Sequence, residues 1–137
     1  MRELNSQRLW IGNAGDSRQP RLLFETGIQV VVDVAMEEKI PQLPAEFIVM
    51  RIPLYDGEGN SPLTLHLAVD TVASLISRRT PTLLTCSAGL SRSPLVAAFA
   101  MQRVTGTPAL ELLREWSQTA PFDVHPGLLS ALQSVRV

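Results

Sequence analysis

The chain has 137 residues, of which 45% are hydrophobic, with a formal net charge of −1 and one cysteine. The lone cysteine excludes an internal disulfide, and the near-neutral charge offers no broad basic surface for nucleic acid. No apolar run reaches the roughly eighteen residues of a membrane span, and residues 1–8 lack the apolar core of a signal peptide. We therefore expect one cytoplasmic domain, residues 1–137, without nucleic-acid or membrane partners.

Strands and helices alternate along most of the chain, and helices fill its last third. Strands are predicted near residues 9–12, 29–34, 46–53 and 82–85. Helices are predicted near residues 18–26, 63–79, 93–104, 108–118 and 126–135. This order indicates an α/β domain with a central, mostly parallel sheet flanked by helices on both faces. In such folds the ligand site lies outside the carboxyl end of a strand.

The segment TCSAGLSRS, residues 85–93, joins the last predicted strand to a helix. Its small residues allow the backbone to curl with its amides pointing inward, and Gly89 tolerates a positive φ. The unpaired amides at the helix start attract an anion, and the planar guanidinium of Arg92 can bind two phosphate oxygens at once. The segment therefore predicts a phosphate-binding loop, called the cradle below. The residues predicted to contact the substrate are Ser87, Ala88, Gly89, Leu90, Ser91 and Arg92.

Cys86 lies at the base of this cradle, six positions before Arg92. Amide dipoles and a nearby cation favour the thiolate, which is the nucleophilic form of cysteine. A lone cysteine is ordinarily a buried packing residue, but here its position in the cradle predicts a catalytic nucleophile.

The cradle sequence resembles the signature loop of the cysteine-dependent protein tyrosine phosphatase superfamily, most closely its dual-specificity branch. Residues 9–13 are similar to the first strand of that domain, and residues 22–33 to its helix, glycine turn and second strand. Residues 52–56 resemble the strand and loop that carry the family's general acid, and residues 125–129 fit its C-terminal layout. The resemblance covers about residues 8–135 and implies the phosphatase fold.

An oxygen that leaves phosphorus must be protonated by a positioned acid. The resemblance implies that this acid is Asp56, thirty positions before Cys86 on a glycine-rich loop. By itself Asp-Gly is a common turn signal, and Glu58 is the alternative acid if the loop has another register. The resemblance further implies that Ser93 hydrogen-bonds the departing sulfur, although a capping role for this hydroxyl stays open.

The activity implied by the resemblance is phosphomonoester hydrolysis through a cysteinyl-phosphate, with neither cofactor nor metal. The expected partner is a phosphorylated protein or peptide, with phosphate or another oxyanion bound in the cradle. A lipid or RNA phosphate remains an open alternative substrate. A second alternative is a pseudophosphatase-like module that binds phosphate without turning it over.

One position departs from the family pattern, because Thr85 stands where the family usually has histidine. Threonine offers a hydroxyl but no positive charge, so we expect a less stabilised thiolate and a shifted rate-pH profile. Outside the cradle, Asp33 is expected to hydrogen-bond local backbone, and Asp123 to be a surface or capping residue.

Overall fold

The computed structural model describes all 137 residues. Five strands form one sheet: β1 (Arg2–Glu3), β2 (Leu9–Gly12), β3 (Val30–Ala35), β4 (Ile48–Leu54) and β5 (Thr82–Thr85). The helices are α1 (Pro20–Thr26), α2 (Pro62–Ser77), α3 (Arg92–Thr105), α4 (Ala109–Ser117) and α5 (Pro126–Ser134). The predicted single α/β domain with a mostly parallel sheet is confirmed.

The strand order is β1-β2-β5-β3-β4, and only the β1–β2 pairing is antiparallel. β5 therefore lies in the centre, with all four of its residues buried. In register, Thr85 at its end faces Gly12 on β2 and Asp33 on β3. The loops that follow these parallel strands consequently meet at one edge of the sheet, around the residues that follow Thr85.

The core is unequal on the two faces of the sheet. The larger cluster has 29 buried residues and includes side chains from α2, α3, α4 and α5. The other cluster has 5 buried residues, among them Leu23 of α1 and Phe47. Helices cover both faces, as predicted, but the C-terminal helices provide most of the buried apolar surface. No helix is long and apolar enough to cross a membrane.

Element boundaries differ from the sequence-based ones where backbone geometry intervenes. The first helix was predicted from residue 18, but residues 16–18 form a 3₁₀ turn and α1 begins at Pro20. Proline favours the first helical position because its φ is already set there. α2 was predicted to extend to residue 79 but ends at Ser77. Arg79 adopts φ 53°, a left-handed backbone conformation that cannot continue a right-handed helix. The two-residue β1 was not predicted, since so short a strand has no hydrophobic period.

Two leucines on α4 provide a test of this packing. Leu112 is 2% exposed in the larger cluster, whereas Leu110 is 48% exposed. We expect Leu112→Ala to lower the free energy of unfolding by about 2–5 kcal/mol, because it removes buried methyl groups and leaves a cavity. Leu110→Ala should change it by about 0.5 kcal/mol or less. Urea denaturation measures both, and equal losses would contradict the described packing.

Candidate active site

The cradle leaves the buried end of β5 and is anchored to the loop after β2 by main-chain hydrogen bonds. The amide of Ala14 donates to the carbonyl of Ser87 at 3.0 Å, and the amide of Cys86 donates to the carbonyl of Gly12 at 3.4 Å. On the other side, the amide of Asp123 donates to the carbonyl of Leu90 at 3.0 Å. The cradle is thus held from both flanks, with its backbone fixed before any ligand binds.

Gly89 is the position where the curl of the cradle requires glycine. Its φ is 75°, and a Cβ built there would lie 3.0 Å from both the carbonyl carbon and the oxygen of Gly12. A side chain would therefore meet backbone, which cannot rotate away. This close approach lets the cradle pack directly on the end of β2.

Cys86 lies at the base of the cradle and is 2% exposed. Its Sγ is 3.2 Å from Oγ of Ser93, which is fully buried in the first turn of α3. The structure therefore places the Ser93 hydroxyl within hydrogen-bond distance of the sulfur. Thr85, the residue before Cys86, is also fully buried, and its Oγ1 has no hydrogen-bond partner.

Arg92 is held by an acceptor pair that was not predicted from the sequence. Its side chain is only 5% exposed, and Nη1 and Nη2 donate to the two carboxylate oxygens of Glu37 at 2.6 and 3.0 Å. Nη1 also donates to the carbonyl of Leu54 at 3.0 Å. Burial alone lowers the pKa of Arg92, but Glu37, Cys86 and Asp56 together raise it above its ordinary value. The guanidinium is therefore a permanent, oriented charge.

Glu37 sits in the turn after β3, and a second ion pair holds that turn in place. Asp33 accepts from the Ala35 amide at 2.9 Å, and its other oxygen pairs with Arg51 at 2.5 Å. Arg51 also donates to the carbonyl of Glu38 at 2.6 Å. Asp33 therefore bonds local backbone, as expected, and supports the turn that presents Glu37.

Asp56 follows β4 and reaches the cradle through Ser91. The Ser91 hydroxyl donates to Oδ1 of Asp56 at 2.7 Å and accepts from the His125 amide at 2.9 Å. Glu58, the alternative acid, instead lies against the start of α5, where a Cβ on Gly127 would be 2.9 Å from its Cγ. Of the two acids, only Asp56 faces the cradle.

These groups line one small cleft of about 180 Å³. Its lining residues are Asp56, Cys86, Ser87, Ala88, Leu90, Ser91, Arg92 and Asp123. Asp123 thus belongs to the cleft wall, and its assignment as a surface or capping residue was incomplete. Gly89 lies outside this cleft and lines a neighbouring one. A larger cavity of about 470 Å³ among α3, α4 and α5 contains no cradle residue.

Residues 10–105 match the family described as Tc-R-P, polymorphic toxin system, DSP-PTPase phosphatase. The chain belongs to this phosphatase family. The matched region begins at β2 and extends through the cradle to the end of α3. No curated protein matches the chain.

Solved structures of similar fold include two human proteins and one viral protein. Human DUSP28 is 21% identical over 95% of this chain and 92% of its own, with a TM-score of 0.82. The human tyrosine phosphatase-like serine/threonine/tyrosine-interacting protein is 15% identical over 93% and 90%, with a TM-score of 0.79. The Orf virus tyrosine phosphatase OH1 is 20% identical over 96% and 82%, with a TM-score of 0.69. At these identities the likeness concerns the fold.

Glu37 is the main residue of the site that the sequence did not predict. An acidic pair, Glu37-Glu38, directly follows the buried strand β3, which neighbours β5 in the sheet. This position could have indicated that Glu37 lies near the cradle, because the carboxyl ends of parallel strands meet at one edge of the sheet. It became decisive only once the strand order was known.

A glycine pair tests the close approach of the cradle to β2. Gly89 and Gly106 both have positive φ, but a Cβ at Gly106 would meet nothing within 4 Å. Both alanine variants should lose stability from the left-handed backbone, by about 1–2 kcal/mol. Gly89→Ala should also weaken vanadate binding about tenfold to a hundredfold, since an ångström-scale displacement misaligns the amides. Equal vanadate affinity in the two variants would contradict this geometry.

The Glu37–Arg92 pair predicts a pH-dependent stability. The hydrogen bond from Arg92 lowers the pKa of Glu37 below its ordinary value of 4.5. The contribution of Glu37 to the stability of the fold is therefore complete above pH 4.5 and is lost as the pH falls through its folded-state pKa. At pH 7 the wild type should melt at a higher temperature than Glu37→Gln, and this difference should shrink in acid.

Glu115→Gln provides the control for this measurement. Glu115 is exposed on α4 and takes part in no ion pair. Its replacement should leave the melting temperature close to that of the wild type at every pH. A Glu37→Gln difference that stays constant with pH would show that the carboxylate charge is not what stabilises the cradle.

Proposed function

We propose that the protein hydrolyses phosphomonoesters on tyrosine, serine or threonine side chains through a cysteinyl-phosphate intermediate. The observation that carries the proposal is the convergence of Cys86, Arg92 and Asp56 on one cleft of about 180 Å³. Membership of a phosphatase family supports the same reaction class. A cleft of this size suits a single phosphoryl group, since sites for whole drug-sized ligands measure about 300–1,000 Å³.

In the first step Cys86 Sγ attacks phosphorus, and the bond from phosphorus to the ester oxygen breaks. Asp56 transfers a proton to that oxygen, so that the alcohol or phenol leaves neutral. Arg92 and the inward-facing amides of the cradle stabilise the charge on the equatorial oxygens. Because Glu37 and Leu54 already orient the guanidinium, little reorganisation is needed as the transition state forms.

In the second step water attacks the cysteinyl-phosphate while Asp56 accepts its proton, and the phosphorus–sulfur bond breaks. Ser93, 3.2 Å from the sulfur, supplies a hydrogen bond to the departing thiolate. Ser91 is a positioning residue in this scheme, because its hydroxyl donates to Asp56. The same hydroxyl accepts from the His125 amide, so its proton is directed toward the carboxylate.

A protein substrate is favoured over a polyphosphorylated lipid by the charge of the cleft. Ala88 and Leu90 line this cleft, and neither adds a cation beside Arg92. A highly charged inositol head group would need several further cations inside this cleft, where Arg92 is the only one.

The mechanism is tested by hydrolysis of para-nitrophenyl phosphate and of a phosphotyrosine peptide without added metal. Cys86→Ser should abolish turnover. Acid quenching during turnover should trap a phosphorylated form of the wild type but none of this variant. Asp56→Asn should lower kcat for the peptide by about 10²–10⁴, because tyrosine is a poor leaving group without its proton. The loss should be smaller for para-nitrophenyl phosphate, whose leaving group needs less protonation.

Glu58→Gln is the matched control, since it removes a carboxylate from the same loop but outside the cleft. Its kcat should remain within about threefold of wild type. A large loss in Glu58→Gln and none in Asp56→Asn would reassign the acid. If the wild type binds vanadate but turns over no faster than Cys86→Ser, the protein is a phosphate-binding module instead.

A further inference from the structure

A second cleft of about 250 Å³ adjoins the first, on the other side of the cradle. The two clefts share Ala88 and Leu90 as lining residues. The outer one is completed by Arg2, Asn13, Asp16 and Phe122, among others. A ligand with its phosphate in the cradle can therefore extend past Ala88 and Leu90 into this adjoining cleft.

Arg2 is the cation of the outer cleft, and no anion of the protein neutralises it. It takes part in none of the ion pairs of the chain, and its Nη2 is buried without a hydrogen-bond partner. Burial accordingly lowers the pKa of Arg2. Arg2 as a whole is partly buried, and a partly desolvated, unpaired guanidinium attracts an incoming anion more strongly than a fully exposed arginine does.

The position of the guanidinium is set by stacking. Its Cζ lies 4.8 Å from the ring centroid of Phe122. Phe122 is in turn placed next to the cradle, because the amide of the following residue, Asp123, donates to the carbonyl of Leu90. Stacking leaves the in-plane N–H groups other than those of the buried Nη2 available for hydrogen bonds to an oxyanion.

The one carboxylate in the outer cleft does not cancel this charge. Oδ2 of Asp16 accepts from the Asn13 amide at 2.9 Å and lies 3.3 Å from the Met1 amino group. Its charge is therefore met by these two groups, and Arg2 remains the unpaired ion of the cleft.

We infer that Arg2 forms a second anion subsite, which binds a carboxylate or phosphate on a residue flanking the phosphorylated residue of a peptide substrate. This inference rests on the proposed phosphatase function. The apolar wall beside Arg2, which includes Ile11, Pro121 and Phe122, suits the aliphatic stem of such a side chain. The subsite selects for acidic or multiply phosphorylated segments and takes no part in the bond-breaking steps.

The test uses matched phosphotyrosine peptides with alanine, glutamate or phosphoserine at the two positions on either side of the phosphotyrosine. Two quantities are measured: kcat/KM of the active protein, and the affinity of the Cys86→Ser protein by calorimetry. With wild-type Arg2, we expect the anionic peptides to be favoured about tenfold over the alanine peptide, as for one charge-assisted contact. The larger of the glutamate-to-alanine and phosphoserine-to-alanine ratios identifies the preferred anion.

Arg2→Gln should reduce this ratio to about one, and Arg2→Lys should retain part of it because the charge remains. Arg8→Gln is the matched control, since Arg8 is an exposed cation of the same N-terminal segment that lines neither cleft. It should keep the wild-type ratio. Circular dichroism and melting curves establish that each variant is folded before the ratios are compared.

Two results would overturn the subsite: a wild-type ratio near one, or an equal fall in Arg2→Gln and Arg8→Gln, which would indicate only long-range charge. Turnover of all peptides without an effect of Arg2 would leave the proposed function intact and remove the subsite. If the binding ratio depends on Arg2 but the active protein turns over none of the peptides, the subsite stands and the proposed phosphatase function falls.

Discussion

A buried guanidinium organises the sheet edge that carries the candidate active site. Arg92 belongs to the first turn of α3 but is 95% removed from solvent, given its 5% side-chain exposure. Such a charge is stable inside a protein only if it is paired and hydrogen-bonded. Its acceptors are Glu37 after β3 and Leu54 at the end of β4. The requirement to satisfy one cation therefore fixes the ends of two strands relative to the cradle that follows a third.

The contacts that support Arg92 continue outward from the candidate site. Glu37 lies in the turn after β3, and Arg51 holds this turn by donating to the carbonyl of Glu38. Arg51 is in turn paired with Asp33 on the buried strand β3. On the opposite side, Ser91 joins the loop of Asp56 to the segment before α5 through one hydroxyl. A site built this way is preorganised by its neighbours, which lowers the cost of aligning charge in the transition state.

The two clefts beside the cradle suggest how reaction and selectivity are divided. The inner cleft carries Cys86 and Asp56, the proposed nucleophile and acid, with a single permanent cation, Arg92, oriented by the protein itself. The outer cleft carries Arg2, whose charge the protein leaves without an anionic partner. In a molecule with a net charge of −1, this partly buried cation has no anionic partner, and an anionic ligand is the simplest group to complete it.

The sequence by itself determined the cradle and the general architecture. Cys86, Gly89 and Arg92 lie within seven consecutive residues, so their relation is a local backbone property that spacing alone reveals. Alternating hydrophobic periods likewise predicted the α/β sheet. The sequence did not reveal that Arg92 is held by Glu37, 55 positions away, that Asp123 enters the cleft, or that Arg2 lies beside the cradle. Those contacts depend on the order of the strands and on the paths of the loops. Many topologies share the same local sequence pattern but would bring different loops together, so only the tertiary structure decided these contacts.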